Sequence, residues 1–214
     1  MGTIHSAQIV VLWMTAVFGA ESNPTSARAY VTRGMERFRD NQIEKSIDDF
    51  DHAAKADPRI APRLWQRGIS LYYAGRFMDG REQFESHKAV NPHDVENAAW
   101  HFLCVARMEN VKAARKVLIK IDTGRDTRVP MAEVYELYAG RGSKEAVIAA
   151  AERDGSQQAR MYAHLYVGLY HEVTGDQKKA RSHLEKAAGA KLQGHYMHDV
   201  AKVHLQQRKW KPKP

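Results

Sequence analysis

Residues 27–60 read ARAYVTRGMERFRDNQIEKSIDDFDHAAKADPRI, and residues 61–94 read APRLWQRGISLYYAGRFMDGREQFESHKAVNPHD. Laid over each other at a step of 34 residues, Arg33-Gly34 falls on Arg67-Gly68, Phe50 on Phe84 and Pro58 on Pro92. A fixed period of this length signals a helix–turn–helix repeat, in which no unit buries its apolar face alone and neighbours must stack. Apolar residues recur near the 3.6-residue helical period, and no strand-like alternation of useful length appears. The expected fold class is all-α. The repeated glycines permit close approach of paired helices, while Pro58 and Pro92 close one unit and open the next.

These blocks resemble the tetratricopeptide repeat family, through Tyr30, Gly34, Phe50, Ala53 and Pro58 in the first and Leu64, Gly68, Leu71, Phe84 and Pro92 in the second. The pattern returns from Met161, where Gly168, Gly175-Asp176, Ala180, Leu184 and Ala187 match it. Arg33 and Arg67 depart from the usual leucine, and Gly80 from the usual alanine. The arginine stems are expected to pack between helices with their guanidinium groups on carboxylates such as Asp48 or Glu82. Covering roughly residues 27–190, the resemblance implies a right-handed superhelical stack of antiparallel helix pairs, an α-solenoid that binds other proteins.

The expected organisation is repeats at about 27–60 and 61–94, a divergent stretch at 95–154, a repeat at 161–192 and a capping helix at 194–208. Helical repeats need such a cap because the last unit otherwise exposes its core face. Asp94 is placed to cap a helix through VENAAWHFLCVARM, with Ala113-Ala114 and Val117-Leu118 on a return helix. The segment DTGRDTRVP reads as an irregular loop, ending at Pro130 as a first helical residue.

Residues 9–20, IVVLWMTAVFGA, have the length of a signal-peptide apolar region and are too short to cross a bilayer as a helix. Polar ESNPTS follows, so residues 1–20 are expected to be an export signal of a periplasmic or secreted protein. The segment before the apolar run lacks Lys and Arg. A cytoplasmic protein with an apolar capping helix is the alternative.

Composition excludes several classes. One cysteine, Cys104, in 214 residues leaves no intrachain disulfide and no multi-cysteine metal site. There is no HExxH, no glycine-rich phosphate loop and no GxSxG elbow. Asp48-Asp49 reads as a solvated pair, and the histidines near 195–204, like His164 and His171, do not converge as zinc ligands require. No catalytic residue, metal site or cofactor is expected, and the chain reads as non-enzymatic.

In tetratricopeptide stacks the first helix of each pair lines a groove. On this resemblance the groove residues are Val31, Met35, Phe38 and Arg39, then Trp65, Ile69, Tyr72 and Tyr73, then Trp100, Leu103 and Arg107. Apolar residues stand where carboxylate-gripping members have lysine and asparagine. Trp, Tyr and Arg are the usual energetic anchors of an interface, so the expected occupant is a peptide or helix of another protein. Alternatively, these residues pack beneath the stack's own terminal or inserted helices, the divergent middle pair above all.

Charge is uneven. Lys and Arg exceed Asp and Glu by eight over the whole chain, and the excess falls after residue 176, where ten basic residues face only Glu185 and Asp199. Lys178, Lys179, Arg181, Arg208, Lys209, Lys211 and Lys213 form the expected basic patch. Such a patch attracts an acidic protein, an anionic membrane or nucleic acid, the last disfavoured by export. No transmembrane span is expected. The leading reading is thus a protein–protein adaptor, and the alternative a basic helical-repeat protein acting through residues 177–214.

Overall fold

The computed structural model describes residues 24–210, so the expected export signal and Lys211 and Lys213 lie outside the described residues. Among the described residues there are eleven α-helices and no strand. They are α1 (Ala27–Arg39), α2 (Ile43–Ala56), α3 (Trp65–Tyr73), α4 (Phe77–Lys88), α5 (Val95–Met108), α6 (Val111–Lys116), α7 (Met131–Ala139), α8 (Lys144–Asp154), α9 (Gln157–Val173), α10 (Gln177–Ala188) and α11 (Tyr196–Gln207). Each helix from α1 to α10 packs on its neighbour in the chain, as pairs α1–α2 through α9–α10. None is long and apolar enough to cross a membrane.

Local chemistry sets the helix starts. Ser26, Asp94, Asn110, Ser143, Ser156 and Asp176 each accept a backbone amide of the first turn, at α1, α5, α6, α8, α9 and α10 respectively. Each such cap contributes about 1 kcal/mol. Pro130 stands one place earlier than expected, as the residue before α7 rather than its first helical residue. The helix α6 stops at Lys116, short of the expected Val117-Leu118. Beyond it, the Tyr135 hydroxyl donates to the Ile119 carbonyl at 3.2 Å and lies 3.4 Å from the Ile121 amide, which holds this stretch out of helix.

The repeat glycines have a common task. A Cβ on Gly34 would sit 3.1 Å from the Phe50 ring, one on Gly68 only 2.6 Å from Phe84, and one on Gly168 2.8 Å from Leu184. Glycine on the first helix of a pair thus makes room for a large side chain on the second. Gly68→Ala is expected to cost ~1–3 kcal/mol by overpacking. Gly34→Ala has more room, and ~1 kcal/mol of gained helix propensity offsets its strain. Urea denaturation of both variants checks this; equal stability would mean that Phe84 moves aside freely. Gly80 has a reason too, because a Cβ there would meet the Cys104 sulfur of the next pair at 3.0 Å.

Arg33 packs as expected but pairs one residue further on. Its Nη2 donates to Asp49 Oδ1 at 2.7 Å, and Arg37 adds a contact to Asp49 at 3.0 Å. Asp48 is exposed and Asp49 buried, which corrects the expectation of a solvated pair. Asp49 shares the inward face of α2 with Ser46, Ile47, Phe50 and Ala53, whereas Asp48 points out. Arg67 likewise reaches Asp51 and Gln83 rather than Glu82.

The last helix returns to the first pair. Tyr196 of α11 stacks on Phe38 with ring centres 5.4 Å apart, and meets Trp65 edge-on at 5.2 Å. Arg39 Nε donates to Asp199 Oδ2 at 2.9 Å, and Gln207 Nε2 donates to Asn41 Oδ1 at 2.7 Å. The cap expected at 194–208 is present as α11. It covers α10 and also closes onto α1, α3 and α9.

Candidate functional site

The aromatic face expected to form an open groove is mostly core. Phe38, Ile69, Tyr72, Tyr73, Trp100 and Leu103 are all buried, Val31, Met35 and Trp65 keep partial exposure, and Arg39 and Arg107 are exposed. Tyr72 meets Trp100 edge-on at 5.3 Å, and Tyr73 hydrogen-bonds His204 of α11 at 3.0 Å. Arg39 is taken by Asp199, and Arg107 lies over Phe77 and 3.8 Å from Glu172. The groove does hold a helix, but it is the chain's own α11, not the divergent middle pair. Those residues therefore present no open partner-binding surface along most of its length.

One part stays open. Beside Met197, at the first turn of α11, a cleft of about 400 Å³ lies between α3, the start of α5 and the 125–128 loop. Trp65 and Trp100, both from the expected groove, line it, along with Asn97, Asp94, Glu96 and Arg128. Three buried polar atoms of its lining residues have no hydrogen-bond partner among the described residues: His93 Nδ1, Asn97 Oδ1 and Trp100 Nε1. The other amide atom of Asn97, Nδ2, donates to the Phe84 carbonyl at 2.9 Å.

The 125–128 loop is pinned by a single guanidinium. Arg128 donates to Asp126 at 2.9 Å and to Asp94 at 2.6 Å, and also to Glu96. The Asp126 carboxylate in turn accepts the Val95 amide at 3.1 Å, tying the loop to the first turn of α5. Tyr166 of α9 donates its hydroxyl to Glu96 at 2.6 Å. Burial pushes Glu96 up to about 7; Arg128 opposes the rise and Asp94 adds to it. Burial lowers Arg128, but its hydrogen bond to Asp126 and the three surrounding carboxylates outweigh that and raise it. Three carboxylates thus share one fixed cation. The sequence analysis missed this cluster because its members come from a helix start and a loop 32 residues apart.

A second charged cluster holds α11 in place. Glu172 of α9 is buried and accepts from Arg208, with His204 at 3.5 Å, Arg107 at 3.8 Å and the Tyr72 hydroxyl at 3.5 Å. Burial alone would raise Glu172, but the hydrogen bonds and charges of His204 and Arg208 overcome it and bring it down to about 2. Arg208, expected in the basic patch, is half-buried and its guanidinium is committed to Glu172. Arg181 pairs with Glu185 at 2.7 Å and Lys179 with Asp176 at 3.3 Å, while Lys178 and Lys209 are exposed.

The remaining reactive groups are engaged or sealed. Burial pushes the Cys104 thiol far up. His195 lies against Tyr162, His198 contacts the Leu192 and Ala188 carbonyls, and His204 contacts Tyr73, so these three have separate partners. His164 Nδ1 lies 3.0 Å from His183 Nδ1 on α10. Among the described residues no three His, Cys, Asp or Glu side chains are arranged to hold a metal ion. No family model matches the sequence.

Proposed function

We propose that the chain is a non-enzymatic, tetratricopeptide-like adaptor that holds a segment of a partner protein in the cleft beside Trp65 and Trp100. The carrying observation is that this cleft is the part of the aromatic face that α11 leaves uncovered. It combines a partly exposed indole with polar atoms that have no partner in the chain. Concave sites of this mixed aromatic and polar character are the usual binding places on folded proteins. The burial of Cys104 and the saturation of Glu172 by cations support a binding role over a catalytic one.

The test is affinity capture from the native source with the wild-type chain and with Thr127→Trp. Thr127 is exposed at the cleft, so a large residue there obstructs entry without entering the core. Partner recovery is expected to fall about ten-fold or more, as for loss of a central anchor, with thermal unfolding unchanged. Equal recovery from both proteins would overturn the proposal. A second reading is favoured by the exposure of Lys178 and Lys186 on α10, Lys191 in the loop after it and Lys202 on α11, which suits an anionic membrane or nucleic acid. Capture that survives Thr127→Trp but falls steeply with salt would select it.

A further inference from the structure

We infer that the cleft beside Trp65 and Trp100 takes an arginine side chain of the partner segment, seated between the partly exposed indole of Trp65 and the carboxylates of Asp94, Glu96 and Asp126. This rests on the proposed binding role of the cleft and adds the chemistry of its ligand. Around the cleft, three carboxylates compete for Arg128. Arg125 also lines the cleft, yet the three carboxylates outnumber the two arginines, so a further cation is attracted and an anion repelled.

Two further observations point the same way. Asn97 is 2% exposed, and its Oδ1 is an acceptor with no donor among the described residues. A guanidinium presents five donors in a planar fork, which suits an amide oxygen and neighbouring carboxylates together. Trp65, which keeps partial exposure, adds an aromatic wall, and Trp is the best aromatic partner for a cation.

Binding should also depend on pH. Glu96 faces Arg128 and Asp126 from the loop, Asp94 on its own helix, and Tyr166 from α9. His87 of α4 contacts Asp94 at 3.8 Å, and His93 and Arg125 complete the lining. With Glu96 pushed up to about 7, the site gains negative charge as pH rises through that value. A cationic ligand therefore binds more tightly on the alkaline side.

The experiment uses the full chain and two synthetic tripeptides, acetyl-Gly-Arg-Gly-amide and acetyl-Gly-Gln-Gly-amide, followed by the indole N–H resonances in NMR titrations. The arginine peptide is expected to give saturable shifts at Trp65 and Trp100 and to bind about five-fold more tightly than the glutamine peptide. Its affinity should rise about three-fold between about pH 5.5 and about pH 8, and this rise should vanish in Glu96→Gln. Equal binding of the two peptides, or no saturable shift, would sink the inference. The peptide comparison needs only the wild-type chain, so it stands even if Glu96→Gln folds poorly.

A chain shortened after Trp210 tests self-occupancy by the basic residues 211–214. Several-fold tighter peptide binding to that variant would identify the chain's own tail as the occupant and overturn the assignment to a partner. If Thr127→Trp abolishes partner capture while the two tripeptides bind alike, the adaptor role survives and only the arginine preference falls.

Discussion

Trp100→Ala is expected to remove ~3–5 kcal/mol from the unfolding free energy, the range for deleting a buried aromatic side chain. Trp100 is 1% exposed and wedged between the rings of Tyr72 and Tyr73 and the neighbouring cleft. Against a typical total of ~5–15 kcal/mol, the loss is large enough to leave a partly unfolded population at ordinary temperature. Urea denaturation followed by helical circular dichroism measures it. A cost below ~1 kcal/mol would place Trp100 on an accessible surface, where truncation is cheap. Because Trp100 serves both core and cleft, lost partner binding in this variant says nothing unless folding is measured alongside.

Glu172→Ala should be comparably damaging for a different reason. Removing one partner from a buried ion cluster typically costs ~3–5 kcal/mol, because the remaining charges stay buried without compensation. Here Arg208 and Arg107 would be left without their carboxylate beside the Tyr72 hydroxyl and the His204 ring. The pH dependence carries the signature. Since the folded-state value of Glu172 is depressed to about 2 from an ordinary 4.5, its contribution is present above 4.5 and is lost as pH falls toward 2. The wild-type chain should therefore lose stability across that acid window, and the alanine variant should show a flatter profile there. Parallel profiles would mean that Glu172 is not held by these cations in solution.

The helix pairs were legible because their determinants are local. The 34-residue period, the capping residues Ser26 and Asp94, and the glycines opposite Phe50 and Phe84 all lie within one or two units. The aromatic face was legible as a groove that either binds a partner or is covered by the chain's own terminal or inserted helices, and the residues by which the terminal helix α11 covers it were not. The contact between Arg39 and Asp199 spans 160 residues and has no periodic signature. Asp48 and Asp49 are chemically identical choices a single residue apart, and only the phase of α2 against α1 separates them. Gly80 looked like a weak point of α4, yet it gives way to a sulfur atom in the following pair. The cleft was half visible, through Trp65 and Trp100. Its charged wall was hidden because Arg128 sits in a loop without regular structure.

The return of α11 to α1 also has a consequence for the order of synthesis. Asp199 and Gln207 leave the ribosome more than 150 residues after Arg39 and Asn41, which they hold. At ~5–20 residues per second, the first two helix pairs wait roughly 8–30 s with Phe38, Trp65 and Tyr73 still uncovered. An isolated solenoid can fold from its leading end as each unit emerges. This chain finishes its first unit last, so the aromatic face of α1 and α3 stays uncovered until α11 has been made.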